Sequence, residues 1–251
     1  MNKFLTKSME KIFNTLGSNL DEFKDKTILI TGANGLIGGF LSEFFMYLND
    51  EHDFNSKLVL TSLSDDPKRL GNLIYRKDVQ YYSRDLTNDS WFFDEIDFCI
   101  YCAGYAQPNK FLSDAEKTYQ LNVDAMVRTF QSVMFERKKS KMLFISSSEV
   151  YALNDITKPH CETDELKLDL WHKRAPYIIG KVTGEYNVGL LREKGYNVKS
   201  ARVSLCYGPG HVMEDTRVMS ELTLKGIENE TINLFDDGSA FRKYQHISDC
   251  C

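Results

Sequence analysis

The sequence predicts an α/β fold: a doubly wound parallel sheet with helices on both faces, followed by a small C-terminal lobe. Three observations predict it. Short apolar runs alternate with helical patterns along most of the chain. The first such run leads straight through a glycine-rich turn into a helix. A length of 251 residues, 42% hydrophobic and 27% charged, suits one soluble α/β unit with a small annex. Strands are expected at 27–31, 57–62, 79–82, 97–102, 141–146 and 198–204, and helices at 36–48, 90–95, 113–138 and 176–194.

Taken in chain order, residues 1–26 read as a helical extension. Phe4, Leu5, Met9, Ile12, Phe13 and Leu16 recur at helical spacing, the pattern of a helix packed on a core. Lys3, Lys7, Glu10 and Lys11 interrupt any secretory apolar stretch. Thr27-Ile28-Leu29-Ile30 then reads as a buried strand, and the segment from Phe40 to Leu48 as a helix. Between them lies Thr31-Gly32-Ala33-Asn34-Gly35-Leu36-Ile37-Gly38. A GxxGxxG run in this strand–turn–helix setting marks a Rossmann-like dinucleotide site. Gly32 permits the tight turn, Gly35 lets the backbone approach a pyrophosphate, and Gly38 lets the helix pack on the strand. The free N–H groups at the helix start face the phosphates. Residues 27–206 form the expected dinucleotide-binding domain. Residues 207–251 break the rhythm with Gly208-Pro209-Gly210, a helical stretch and Ile232-Asn233-Leu234-Phe235 before the turn Asp236-Asp237-Gly238. They read as part of a substrate-binding lobe, in a chain that stops inside an element.

Composition excludes several function classes. A net charge of -5 gives no general attraction to nucleic acid or an anionic membrane. No apolar run is long enough to span a bilayer. Cys99 and Cys102 form a CxxC inside a strand-like stretch, not at the helix N-terminus that a redox pair needs, so they read as buried thiols. Cys161, Cys206, Cys250 and Cys251 show no zinc spacing with histidine, and no metal site is expected. A reduced, cytoplasmic setting follows as the default.

Two further motifs carry chemistry. Tyr177 and Lys181 form Tyr-x-x-x-Lys at the start of a helix, which puts both side chains on one face. A phenol is a poor base at neutral pH. A neighbouring ammonium and a positively charged nicotinamide favour its ionised form, which can take a hydroxyl proton as hydride leaves the same carbon. Upstream, Ile145-Ser146-Ser147-Ser148-Glu149-Val150-Tyr151 follows Met142-Leu143-Phe144. Polar residues at the C-terminal end of a parallel strand lie where open α/β sheets bind ligands. The plainer readings are a solvated Tyr/Lys helix face and a serine-rich turn.

In this order the motifs resemble the extended short-chain dehydrogenase/reductase family, in its nucleotide-sugar epimerase, dehydratase and decarboxylase branch. The resemblance runs from about Lys26 to the chain end. Asp85-Leu86 resembles the pair that meets the adenine. Cys102-Ala103-Gly104 resembles the small-residue turn beside the cofactor, and Asn122 the helix asparagine that supports the site. Arg202 to Gly210 resembles the strand and loop ending in Tyr-Gly-Pro. Arg242, with His246 and Asp249, resembles the late motif whose arginine holds the nucleotide diphosphate.

The resemblance implies bound NAD and a nucleotide-diphosphate sugar, oxidised at C4 and then altered before hydride returns. Gly32, Asn34, Gly35, Leu36, Ile37, Gly38, Asp85, Leu86, Ala103, Gly104, Asn122, Tyr177 and Lys181 would line the cofactor. Tyr177 would take the O4 proton, Lys181 would lower the phenol pKa and hold the ribose, and Ser147 would bond O4. Glu149 would act at C5, while Ser148 and Arg242 would meet the substrate. Dehydratases of this branch carry Asp-Glu at the positions of Ser148 and Glu149, and the Asp protonates the leaving hydroxyl. Serine is too weak an acid for that, so decarboxylation or epimerisation is favoured over dehydration. Two other functions stay open: an NADPH-dependent reductase of a 4-keto nucleotide sugar, and a non-catalytic dinucleotide sensor. The sequence also departs from the pattern. Leu205 replaces an asparagine, and the strand ending Leu60-Thr61-Ser62-Leu63 lacks the usual acid, with Asp65, Asp66, Lys68 and Arg69 following. NADP is therefore not excluded, although an internal hydride cycle favours NAD. The family also implies a homodimer, with 113–138 and 176–194 forming a four-helix interface.

Overall fold

The computed structural model describes residues 3–88, 93–136, 139–155, 157–210, 215, 217–233, 237 and 243–251. Six parallel strands form its main sheet: β1 (Thr27–Thr31), β2 (Lys57–Ser62), β3 (Val79–Ser83), β4 (Phe98–Tyr101), β5 (Lys141–Ser147) and β6 (Asn197–Val203). Their order is β3-β2-β1-β4-β5-β6, the doubly wound arrangement with its switch point between β1 and β4. Ile28, Leu29 and Ile30 of β1 are fully buried, as a central parallel strand covered on both faces requires. Their side chains alternate between two cores. Ile28 and Ile30 join Leu58 and Leu60 of β2 in one; Leu29 and Val59 join the other.

The first core is covered by α1 (Lys3–Leu16), α2 (Leu36–His52) and α8 (Ile247–Cys250). Leu5, Met9 and Ile12 of α1 are buried in it, and Phe13 stacks on His52 at 3.5 Å. The extension therefore packs on the domain as its spacing predicts, while Phe4, about a quarter-turn away, stays exposed. The second core is covered by α4 (Ala115–Asn122), α5 (Asp124–Glu136) and α6 (Ala175–Glu193). Among the described residues no helix is long and apolar enough to cross a membrane, and no three His, Cys, Asp or Glu side chains gather as metal ligands do.

Two expected helices differ. The stretch 113–138 is broken into separate pieces. A short α3 (Pro108–Ser113) precedes it, Asp114 caps a fresh start by accepting from Lys117 N, and Val123 interrupts the run at φ -117°, ψ -77°. The helix expected at 90–95 is not seen where the chain is described: residues 93–95 are irregular and Glu95 has φ +29°. Beyond β6, β7 (Leu205–Tyr207) pairs in parallel with β8 (Tyr244–His246), and α7 (Val218–Ile227) lies between them. Leu234, Phe235, Asp236 and Gly238 lie outside the described residues.

Close packing of α4 on α6 positions the site. A Cβ on Gly184 would lie 2.6 Å from the Phe144 ring and 2.8 Å from the Asn122 carbonyl oxygen. Neither neighbour can retreat, since Phe144 and Asn122 are both fully buried. Gly184→Ala is expected to destabilise the fold by about 1–3 kcal/mol despite alanine's better helix propensity, read as a lower urea midpoint.

Candidate active site

The crevice at the C-terminal ends of β1 and β4 opens into a cavity of about 740 Å³. Gly32 begins its wall with φ +64°, a left-handed backbone that favours glycine. A side chain there would also meet Cys102 O at 2.8 Å and Ala103 Cα at 2.9 Å, so the turn lies flush against the β4 loop. Gly38 is equally constrained, its Cβ position lying 2.6 Å from Gly32 O. Gly35 caps α2, and Leu36 and Ile37 follow it along the cavity wall, so the first N–H groups of the helix stand at the cavity. Asn34 also lines it, but its side-chain Oδ1 accepts from Arg69 N at 3.1 Å and ties the turn to the loop after β2. Arg69 itself is turned onto α2, where it pairs with Glu43 at 2.8 Å.

A second cavity of about 180 Å³ adjoins the first, sharing Gly32, Gly35, Cys102 and Gly104, and Ala103 lines it too. Asp85 and Leu86 stand in its wall. Burial pushes the Asp85 carboxyl up, but the hydrogen bonds from Lys117 Nζ (2.6 Å) and Thr87 outweigh it and hold the group below its usual range. Cys99 and Cys102 are free thiols, both raised by burial, as expected of structural cysteines.

Tyr177 and Lys181 lie one turn apart on α6, and both are buried. The Tyr177 ring stacks on Phe111 at 4.9 Å, and Tyr177 shares the cavity wall with Ser147, whose side chain favours the ionised phenol. Ser147 ends β5, and its Oγ also accepts from Glu149 N. Ser148 is exposed at the cavity edge. Glu149 forms an ion pair with Arg174 at 2.6 Å, and Arg174 stands over the Phe111 ring. Phe111, Tyr177, Arg174 and Glu149 thus form one packed group. Asp215 and Arg217 face the same cavity, paired at 2.5 Å.

The phenol differs from the sequence expectation. Burial raises its pKa; the Ser147 side chain and the Arg174 and Arg217 charges oppose this, while Glu149 adds to it. Lys181 is not among the groups that lower it. Its ammonium instead donates to Ile145 O at 2.7 Å and lies over the Phe144 ring. Burial brings Lys181 down to about 7, against smaller upward effects of Cys102 and Glu185. Below it, Glu185 is held bidentately by Arg202, which also meets the Tyr151 hydroxyl, and accepts from Ser146.

Asn122 ends α4 fully buried. Its Nδ2 donates to Thr118 O, but its Oδ1 has no hydrogen-bond partner and lies 3.5 Å from the Cβ position of Gly104. The lysine Nζ is 3.9 Å from that same position. A dinucleotide fits the flush glycine turn and the helix N–H groups, which border the two adjoining cavities; Asn122 and Lys181 line neither cavity and stand just behind Gly104, which lines both. Arg242 lies outside the described residues. Leu205, where the family pattern has asparagine, lines the larger cavity. Sequence reading missed Arg174, Arg217 and Phe111. Arg174 stands three residues before Tyr177, and that one-turn spacing was the available signal.

Comparison with known proteins places this geometry. UDP-glucuronic acid decarboxylase 1 of Xenopus tropicalis is 25% identical over 233 residues, 92% of this chain and 53% of that protein. The chain thus spans about half the length of that relative. A dTDP-4-dehydro-6-deoxy-D-allose reductase from a Streptomyces species is 24% identical over 242 residues, 91% of this chain and 71% of that protein. Among solved structures, UDP-glucuronic acid 4-epimerase from Bacillus cereus, in complex with UDP-glucuronic acid and NAD, superposes with a TM-score of 0.71 at 20% identity, over 89% of this chain and 70% of that one. A family model for NAD-dependent epimerases and dehydratases matches residues 28–251. The chain belongs to the NAD-dependent epimerase/dehydratase family.

Proposed function

We propose that this chain modifies a nucleotide-diphosphate sugar through a transient 4-keto intermediate, as a decarboxylase or epimerase rather than a dehydratase. The observation that carries the reading is that Ser147 and Tyr177 line one cavity together with the glycine turn, with Tyr177 one helical turn from Lys181. Oxidised NAD supplies the hydride acceptor and a positive charge beside the phenol. Gly32, Gly35, Leu36, Ile37 and Gly38 hold its pyrophosphate, Asn34 shapes that turn, and Asp85, Leu86, Ala103 and Gly104 line its adenosine end. Lys181 and Asn122 meet its ribose. Ser147 bonds the sugar O4, and Tyr177 takes the O4 proton. Arg242 grips the diphosphate, and Ser148 contacts the sugar.

The choice among outcomes rests on acid–base chemistry at residues 148 and 149. Loss of water needs a proton donor for the leaving hydroxyl, and Ser148 offers only a weakly acidic alcohol. Loss of CO2 from a 4-keto uronic acid needs none, since the ketone β to the carboxylate accepts the electron pair. Glu149, anchored by Arg174, serves the C5 proton. UDP-glucuronic acid, named in one relative and bound in one structural neighbour, is the first substrate to test. A second reading, net reduction of a 4-keto sugar with NADPH, is favoured by the absence of a carboxylate at the tip of β2 and by the Streptomyces relative. A non-catalytic sensor is disfavoured because Tyr177 and Lys181 are both present. We assign residues 1–26, 27–206 and 207–251 to the extension, dinucleotide domain and substrate lobe. A cytoplasmic homodimer, joined through α4, α5 and α6, completes the reading; Phe135 and Tyr186 are exposed on those helices.

The test incubates full-length protein with NAD or NADPH and a panel of UDP-, dTDP-, GDP- and CDP-sugars. Loss of CO2 or a new isomer of unchanged mass supports the proposal. Loss of water, or stoichiometric consumption of NADPH, replaces it with dehydratase or reductase. Conversion of no sugar by protein that binds dinucleotide returns the sensor.

A further inference from the structure

Positive charge gathers where Tyr177 faces the larger cavity. Among the described residues lining that cavity, Lys110, Lys173, Arg174 and Arg217 stand against Glu149 and Asp215. Asp215 holds Arg217 at 2.5 Å, and Glu149 pairs with Arg174 at 2.6 Å. The second pair leaves hydrogen-bonding capacity unspent: Arg174 Nε and Glu149 Oε2 are both buried, and neither has a hydrogen-bond partner. The Arg174 guanidinium stands 5.6 Å from the centre of the Phe111 ring, which stacks in turn on Tyr177, so its place relative to the phenol is fixed. Lys110 and Lys173 precede Phe111 and Arg174 in the chain and bring two more ammonium groups to this end.

In a nucleotide sugar the diphosphate is carried on C1, and O4 lies across the ring from it. A cation beside the phenol that takes the O4 proton is therefore remote from the diphosphate. It is close to C6, the substituent on C5, where Glu149 is assigned to act. We propose that Arg174 is a specificity-determining residue that reads a carboxylate at C6, so that the substrate is a nucleotide-linked uronic acid and not a neutral hexose. The inference rests on the nucleotide-sugar reading above and narrows its substrate. A guanidinium presents five N–H donors in a planar fork, so Glu149 and a sugar carboxylate can share it on different edges. A carboxylate takes charge-assisted hydrogen bonds from that fork, whereas a hydroxymethyl group offers only a neutral acceptor. The two lysines favour the same acid by their charge.

Isothermal titration of full-length Tyr177→Phe protein, saturated with NAD+, tests this without consuming the sugar. Two pairs of ligands differ only at C6: UDP-glucuronic acid with UDP-glucose, and GDP-mannuronic acid with GDP-mannose. The expected result is one acid bound about tenfold more tightly than its neutral partner, the size of one charge-assisted bond. Arg174→Gln in the same background should weaken that acid about tenfold and leave the neutral sugar within about twofold. Arg174→Lys, which keeps the charge without the fork, should fall between the two. If Arg174→Gln does not fold, the acid-to-neutral ratios of the starting protein and of Arg174→Lys decide. A neutral sugar bound as tightly as its acid, or an equal loss of both on substitution, overturns the inference and leaves the nucleotide-sugar reading standing. Binding of none of the four overturns both.

Discussion

Tyr177→Phe is expected to bind dinucleotide as the wild type does and to lose turnover by roughly 10²–10⁴-fold, the usual range for removing a general acid–base group. The substitution suits the site. The ring stacks on Phe111 at 4.9 Å with 16° between planes, a contact phenylalanine repeats. Only the hydroxyl is lost, and with it the interaction with the Ser147 side chain, so the cost in stability is at most about 1 kcal/mol. The phenol must ionise to work, yet burial and Glu149 hold its pKa above the ordinary value against Ser147, Arg174 and Arg217. Wild-type turnover should therefore climb with pH through the neutral range, and the variant's residual rate should lack that slope. Dinucleotide titration alongside pH-dependent product formation separates the two effects. Turnover retained by the variant would remove Tyr177 from its role.

The same environment shows what could be read from sequence. The six strands were legible because central parallel strands are nearly continuous apolar runs, as Ile28-Leu29-Ile30 and Leu58-Val59-Leu60 show. Helices depend more on local breaks. Nothing in the apolar spacing of 113–138 marks the interruption at Val123, whose conformation is set where Asn122 is wedged against Gly180 and Gly184. Pro108, at the first turn of α3, was a visible start signal that went unused. Site residues divide in the same way. Gly32, Ser147, Tyr177 and Lys181 belong to compact motifs, so spacing alone brought them to notice. The Glu149–Arg174 pair joins segments 25 positions apart, and Arg217 reaches the cavity from beyond β7; such contacts exist only once the sheet has brought the segments together. The direction of the Tyr177 shift was also out of reach, because burial, which sequence spacing does not report, dominates it.

Lys181→Met is expected to separate stability from function. The ammonium is 6% exposed and donates to a single carbonyl, Ile145 O, so burial lowers its pKa from 10.5 to about 7. Below about pH 7 the folded and unfolded states both carry the proton, and the fold bears the full cost of an enclosed charge. Between about 7 and 10.5 the folded chain releases the proton while the unfolded chain keeps it, so the unfolded state binds more protons and stability rises with pH. Above that window both are neutral and the cost is gone. Methionine has no charge to desolvate, so the variant should unfold at a higher temperature than wild type near pH 6. That advantage should shrink by several kcal/mol towards pH 10, since each pKa unit is worth about 1.4 kcal/mol. Groups common to both proteins cancel in the difference between their pH profiles. Function should move the other way: the variant loses the cation beside the Tyr177 ring that the proposed function also assigns to the ribose, so dinucleotide binding should fall about tenfold and turnover should collapse. A wild-type-minus-variant stability difference that stays flat from pH 6 to 10 would show that this lysine is not the desolvated cation the packing makes it. Weakened dinucleotide binding with a normal stability profile would place its ammonium in solvent, away from Ile145 and Phe144.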